Sequence, residues 1–141
     1  MTVITFSASG EPRRQERPRA RVLRGKFAQF YKPPMSRAYE ASLRRIAVEV
    51  MDGRPPLEGA LSLSLRFRMG VPKSMSKGHR ARLLAGEEPF FGRCDLSNMV
   101  KAVEDAMNKV VFVDDRQITR LFATKVAHER PGVDVRVEAF E

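Results

Sequence analysis

Three aspartates and a lysine in the second half of the chain have the types and the spacing of a divalent-metal site. Asp95 directly precedes a run of apolar residues with helical spacing, Lys101 lies within that run, and Asp114 and Asp115 follow it. Mg²⁺ prefers hard oxygen ligands and is usually held by one or two carboxylates together with substrate phosphate oxygens. Such an ion assists phosphodiester cleavage, and a nearby lysine stabilises the phosphate as charge develops. A structural alternative stays open, in which Asp95 caps a helix and the aspartate pair forms a turn.

The element that must position these residues is a helix that begins after Asp95. Its apolar residues fill one arc of about 120° on a helical wheel; they are Leu96, Met99, Val100, Val103, Ala106, Met107 and Val110. The opposite side carries polar residues, namely Ser97, Asn98, Lys101, Glu104, Asp105 and Asn108. We therefore predict a helix that faces the core on one side and presents Lys101 on the other.

The rest of the chain predicts a single α+β domain that spans residues 1–141. Alternating or helical patterns predict a strand at 3–7, a helix from a Ser36 cap to Gly53, a strand at 61–69, a short basic helix from Ser74 or Ser76 to Gly86, and strands at 117–126 and 133–139. The short helix, within 74–88, reads as a flap inserted between core elements. This order predicts a mostly antiparallel or mixed sheet with helices packed on one face.

The charge balance predicts a polyanionic partner. The chain has 26 Lys+Arg against 17 Asp+Glu, a net charge of +9, which favours nucleic acid ahead of a membrane surface. A basic arm at 12–26, whose prolines and arginines oppose regular structure, leads into an extended piece near 27–31. Dense arginine suits phosphate contacts, although a solvated loop is the alternative. The predicted DNA contacts are Arg13, Arg14, Arg17, Arg19, Arg21, Arg24, Lys26, Lys73, Lys77 and Arg93.

Several other classes of protein are disfavoured by what the sequence lacks. Cys94 is the one cysteine, so an intramolecular disulfide is excluded and a reducing, cytoplasmic location is expected. His79 and His128 lie in unrelated contexts, which argues against a zinc site or a histidine-based catalytic dyad. There is no glycine-rich phosphate loop, so no nucleotide cofactor is predicted. Neither a signal peptide nor a membrane span is predicted.

A series of short motifs runs through the chain almost end to end. They are Gly10-Glu11-Pro12, Arg17-Pro18-Arg19, the stretch from Gly53 to Gly59, Pro72 to Lys77, the core stretch Asp95-Leu96-Ser97-Asn98-Met99-Val100-Lys101, Asp105 to Asn108, Val111 to Ile118, and Glu129 to Val133. In order and spacing they resemble the RusA family of Holliday-junction resolvases, especially its phage and prophage members.

The resemblance implies a homodimeric, Mg²⁺-dependent endonuclease, with Mn²⁺ as a substitute metal, in a bacterial host or encoded by a phage. It implies binding to four-way or branched DNA and paired, symmetric nicks across the branch point, in recombination and repair. Carried over by position, the first acidic residue of the family's Asp-x-Asp-Asn motif falls on Asp95, its lysine on Lys101 and its downstream acidic residue on Asp115. These three are the expected catalytic residues, and the two aspartates are the expected metal ligands.

The chain departs from the family pattern at Ser97, where the motif has its second aspartate. A serine hydroxyl can ligate a metal weakly or hold a bound water, but it brings no charge. Three accounts stay open. Asp114 or Glu104 takes over as a ligand, the enzyme is slow, or the protein binds junctions without cutting them.

Overall fold

Ten regular elements form the structure, a computed structural model that describes residues 2–14, 19–23, 27–31, 33–92 and 94–140. For 19–23 and 27–31 it describes the backbone. In chain order the elements are β1 (Val3–Ser9), β2 (Arg19–Leu23), β3 (Phe27–Tyr31), α1 (Pro34–Met51), β4 (Leu61–Met69), α2 (Lys77–Leu84), α3 (Leu96–Met107), a 3₁₀ helix (Asp115–Gln117), β5 (Ile118–Ala127) and β6 (Gly132–Ala139).

The predicted α+β fold with a mixed sheet is confirmed. Four strands form one sheet in the order β1-β6-β4-β5. Strand β4 pairs antiparallel with β6 and parallel with β5, and β6 pairs antiparallel with β1. The period-two pattern of β4 explains its position, because its buried and less buried residues alternate along the whole strand.

The hydrophobic core lies between one face of this sheet and helices α1 and α3. The sheet contributes Ile4, Phe6, Leu63, Leu65, Phe67, Val135 and Val137, and the helices contribute Leu43, Ala47, Met99, Val103 and Met107. Arg44 of α1 also fixes α3, because its guanidinium donates from Nε to the Ala106 carbonyl at 3.1 Å and from Nη2 to the Asp105 carbonyl at 2.8 Å. The predicted amphipathic helix therefore packs as its apolar arc requires.

Two predicted helix ends are wrong. Helix α1 begins at Pro34 rather than after a Ser36 cap, because proline has a fixed φ and no N–H group and so suits the first helical position. Ser36 lies inside the first turn and is buried. Helix α3 ends at Met107 rather than Val110, because Asn108 has a non-helical ψ of 129° and Lys109 a positive φ of 66°. The short helix α2 begins at Lys77, and Ser76, one of its two predicted caps, is its N-cap.

The basic arm is more regular than predicted. Arg19–Leu23 pairs antiparallel with Phe27–Tyr31 in a separate two-stranded sheet. The prediction that this segment opposes regular structure is wrong here, because no proline lies within 19–31 and the extended piece offers a row of backbone groups to pair with.

Within the described ranges, no helix is long and apolar enough to cross a membrane.

Candidate active site

Lys101 and Asp115, which the sequence predicts as partners in one site, are in direct contact. The Lys101 Nζ lies 3.0 Å from Asp115 Oδ2 and 3.3 Å from Asp105 Oδ1, one helical turn along α3. The hydrogen bond to Asp115 is the main reason why the pKa of Lys101 is raised above its usual value. The lysine therefore stays protonated and links α3 to the 3₁₀ helix.

Glu104 adds a third carboxylate beside this lysine. Partial burial raises the pKa of Glu104; Lys101 opposes that shift, while Asp115 and Asp105 add to it. The site thus holds Glu104, Asp105 and Asp115 around one ammonium group. This excess of negative charge is an environment that favours a further cation.

Asp95 occupies the N-cap position of α3, but its carboxylate does not cap the helix. Its backbone carbonyl accepts the first helical hydrogen bond from the Met99 N–H at 3.1 Å. Its side chain instead accepts from Asn98 Nδ2 at 3.3 Å and is exposed. Ser97 is also exposed, in the first turn of α3. The purely structural alternative therefore does not account for the Asp95 side chain.

The structural alternative does account for Asp114. Its Oδ1 accepts from the Arg116 N–H at 2.8 Å and lies 3.2 Å from Arg116 Nε. The backbone hydrogen bond is the main cause that lowers the pKa of Asp114. Within the aspartate pair, Asp114 caps the 3₁₀ helix and Asp115 faces Lys101.

Gln117 fixes the turn that carries this pair, and sequence analysis missed it as a site residue. Its Oε1 accepts from the backbone N–H groups of Val113 at 2.8 Å and Asp114 at 3.0 Å. Its Nε2 donates to the carbonyls of Leu57 at 2.9 Å and Gly59 at 3.0 Å. The sequence signal is a glutamine three residues after an aspartate, as in a capping box.

Lys125 fixes the segment that precedes Asp95, and it too was missed. Its Nζ donates to the carbonyls of Gly92 at 2.9 Å and Cys94 at 3.0 Å. It also lies 5.9 Å from the centre of the Phe90 ring. Lys125 pairs with the buried Phe67, so a charged residue occupies a core-facing register position, and this register is known only from the structure.

The donor set fits a metal held by one or two carboxylates, but not a cage made by the protein alone. Among the described residues, no group of three or more His, Cys, Asp or Glu side chains has the arrangement of a metal site. Lys101 is instead the cation that Asp105 and Asp115 contact. Carboxylate oxygens with open coordination positions for water and substrate oxygens are the arrangement that Mg²⁺ commonly uses.

Part of the predicted DNA-binding set lies next to this site. Arg13 and Arg14 line a pocket of about 350 Å³ together with Cys94, the residue before Asp95. Lys73 and Lys77 are exposed, before and at the start of α2. Arg19 and Arg21 lie in β2, where the backbone is described. The remaining predicted contacts lie outside the described residues; they are Arg17, Arg24, Lys26 and Arg93.

The chain has an α+β fold, a strong positive charge and a lysine surrounded by carboxylates that could bind a metal ion. This combination fits an enzyme that cleaves a nucleic-acid backbone. Residues 9–138 match the family model of Endodeoxyribonuclease RusA, and the chain belongs to this family of nucleases. The family acts on branched DNA, in agreement with the predicted nucleic-acid partner. The chain is also similar to "Uncharacterized protein YqaN" of Bacillus subtilis (strain 168), with 30% identity over 141 residues that cover 97% of this chain and 96% of that relative.

Proposed function

We propose that this protein is a Mg²⁺-dependent endodeoxyribonuclease that binds four-way DNA junctions as a homodimer and resolves them by paired, symmetric nicks. The observation that carries the proposal is the contact between Lys101 and Asp115 at 3.0 Å, in a chain that matches the RusA family over residues 9–138. We further propose that it acts in recombination and repair in the cytoplasm of a bacterial host, and that a phage or prophage encodes it.

Each residue then has a defined task at the scissile phosphate. Asp95 and Asp115 would hold Mg²⁺, which when bound lowers the pKa of a water molecule and neutralises charge on the phosphate. Lys101, protonated and half-exposed, donates a hydrogen bond to a phosphate oxygen. Arg13 and Arg14 bind neighbouring phosphates and thereby place the strand without reading its sequence.

A homodimer suits the symmetry of the substrate. A four-way junction presents two equivalent strands, and a two-fold dimer can place one carboxylate cluster on each. Light scattering on the purified protein tests this point. A mass of about twice 16.0 kDa is expected, and a monomer both alone and on a junction would contradict it.

A second candidate function is junction binding with weak or absent cleavage. Ser97 favours it, because this exposed serine supplies no charge at a family ligand position and the described residues form no three-carboxylate metal group. Under this alternative, Arg13 and Arg14 still hold DNA, whereas turnover is slow.

Cleavage of a labelled synthetic four-way junction separates the two functions. The wild-type protein is assayed with Mg²⁺, Mn²⁺ and EDTA, beside Asp95→Asn, Asp115→Asn and Ser97→Asp. Asp52→Asn is a matched control, since Asp52 lies at the C-terminal end of α1 in a left-handed conformation that asparagine accepts.

We expect metal-dependent nicks on two opposed strands, lost in Asp95→Asn and Asp115→Asn while junction binding persists. If Asp95→Asn cuts as well as wild type, the proposed site is wrong. If wild type binds without cutting and Ser97→Asp cuts, the second candidate function is correct.

A further inference from the structure

The sheet has a second face, turned away from α1 and α3, that none of the tasks above uses. We call it the outer face. The strand register places Thr5, Arg136, Ser64 and Phe122 in one row across all four strands. The next row holds Ser7, Asp134, Arg66 and Thr124. Polar and charged residues dominate these rows, and Phe122 is the exception.

Two aromatic rings are exposed on or beside this face. Phe122 is 65% exposed and Phe140 is 40% exposed. Arg120 pairs with Ser62, two residues before Ser64 in the same alternation, and therefore shares the outer face with Phe122. Its guanidinium lies 4.8 Å from the centre of the Phe140 ring. The outer face thus interleaves aromatic and arginine side chains that come from β5 and from the residue directly after β6.

A shallow depression of about 490 Å³ lies on this face, lined by Phe122, Arg66 and Arg136 among other residues. Its acidic residue is Asp134, which accepts from Ser7 Oγ at 2.8 Å and lies 3.6 Å from Arg66 and 3.3 Å from Arg68. Because the single carboxylate of Asp134 lies beside the guanidinium groups of both Arg66 and Arg68, this part of the outer face keeps a net positive charge. Arg136 lies 3.5 Å from Glu138, and both groups are partly exposed to solvent.

We propose that the outer face binds single-stranded DNA, with a base stacked on Phe122 and phosphates held by Arg66 and Arg136. Exposed aromatic rings combined with a positively charged surface are what proteins use to bind unpaired strands without sequence preference. Strand β5 begins directly after the 3₁₀ helix that carries Asp115. Phe122 lies four residues into β5, about 13 Å from its start at the usual rise of a strand.

This inference deepens the proposed function and rests on it for its substrate, since a branch point can present unpaired bases near the cut strand. Phe122 comes to the outer face from β5 and Phe140 from the residue after β6, so strand pairing and not sequence spacing places aromatic rings there.

The test is the binding of a fluorescein-labelled oligothymidylate of about 16 nucleotides, measured by anisotropy in EDTA so that cleavage plays no part. We expect Phe122→Ala to weaken binding roughly 5- to 150-fold and Phe122→Tyr to retain it. Arg136→Gln is expected to reduce the dependence of binding on salt concentration. Leu121→Ala is the matched control, because Leu121 is the adjacent residue, is 49% exposed and pairs with the buried Leu63 on the opposite face.

Equal weakening by Leu121→Ala and Phe122→Ala would overturn the proposal, as would binding that Phe122→Ala leaves unchanged. A Phe122→Ala variant that changes the oligomeric mass in light scattering, with unaltered oligothymidylate binding, would also overturn it and assign the face to a second copy of the chain. If the proposed function is wrong, the wild-type protein will not cut a four-way junction in the presence of metal, and this result is independent of oligothymidylate binding.

Discussion

Replacing Gln117 by methionine tests whether this side chain holds the turn that carries Asp114 and Asp115. Methionine keeps the length of the side chain but makes none of the four hydrogen bonds. Two of these bonds are partly buried, from the Asp114 N–H at 3.0 Å and to the Leu57 carbonyl at 2.9 Å. The other two, from the Val113 N–H and to the Gly59 carbonyl, are exposed, so water can replace them.

The expected loss of stability follows from the two partly buried bonds. Each contributes about 0.5–1.5 kcal/mol net, so Gln117→Met should lower the free energy of unfolding by about 1–3 kcal/mol. For a domain of this size that corresponds to a fall in melting temperature of roughly 3–10 °C. Thermal unfolding followed by circular dichroism measures it. Arg116→Gln is the control in the same turn, and its 87% exposed side chain predicts a change within about 0.5 kcal/mol.

The same variant should impair cleavage more than binding. Once Gln117 is lost, the turn no longer fixes Asp115 against Lys101, and a shift of about 1 Å at a catalytic group costs up to roughly 100-fold in rate. We expect kcat on a four-way junction to fall roughly 10- to 100-fold with little change in the Kd for the junction. A Gln117→Met protein that melts and cuts like the wild type would refute the assigned positioning task.

Three further changes test other parts of the structure. Glu104→Gln should raise the melting temperature at pH 7, because burial raises the pKa of Glu104 and its contribution to stability is lost as pH rises through that raised value. The difference in melting temperature between the variant and the wild type should shrink below pH 4.5, the usual pKa of the group. A larger difference there would contradict the raised pKa of Glu104. Lys125→Met should free the carbonyls of Gly92 and Cys94 and speed amide hydrogen exchange in residues 90–95, whereas unchanged exchange would show that Lys125 does not hold this segment. Gly132→Ala should lower the free energy of unfolding by at least about 1–3 kcal/mol, since a Cβ there meets the Ala8 carbonyl and the Arg68 guanidinium; urea unfolding with an unchanged midpoint would contradict it.

The main helices and strands could be predicted from the sequence, because the periodicity of hydrophobic residues indicates which positions are buried. The alternation from Leu61 to Met69 predicted the central strand, and the helical spacing after Asp95 predicted α3. The sequence placed Lys101 and Asp115 in one candidate site, but their ion pair at 3.0 Å was not predicted. The ends of the helices could not be predicted as well. They depend on the backbone conformation at Pro34 and Asn108, and the spacing of apolar residues on a helical wheel does not show that conformation.

The groups that fix the site could not be predicted in the same way. A capping-box spacing marks only the local contacts of Gln117, whereas the distant partners of Gln117 and Lys125 are backbone carbonyl groups, which every residue carries and which the sequence does not distinguish. The carbonyl of Leu57 lies 60 residues from Gln117 along the chain, so the contact exists only once the tertiary structure has formed. The exposure of Phe122 and Phe140 on or beside one face of the sheet could not be predicted either, because it too depends on the tertiary structure.

Different side chains fix the segments that carry Asp95 and Asp115, because Lys125 binds backbone carbonyls before Asp95 and Gln117 binds the backbone of the turn at Asp115. The Ser97→Asp experiment is therefore informative whether cleavage changes or not. Ser97 makes neither contact and is exposed in the first turn of α3, where a negative charge next to free N–H groups stabilises a helix by about 0.3–1 kcal/mol. The substitution should therefore add a carboxylate without unfolding the protein or moving the turn. If the wild type cuts and Ser97→Asp cuts at the same rate with its melting temperature maintained, the missing charge at this position does not limit the reaction.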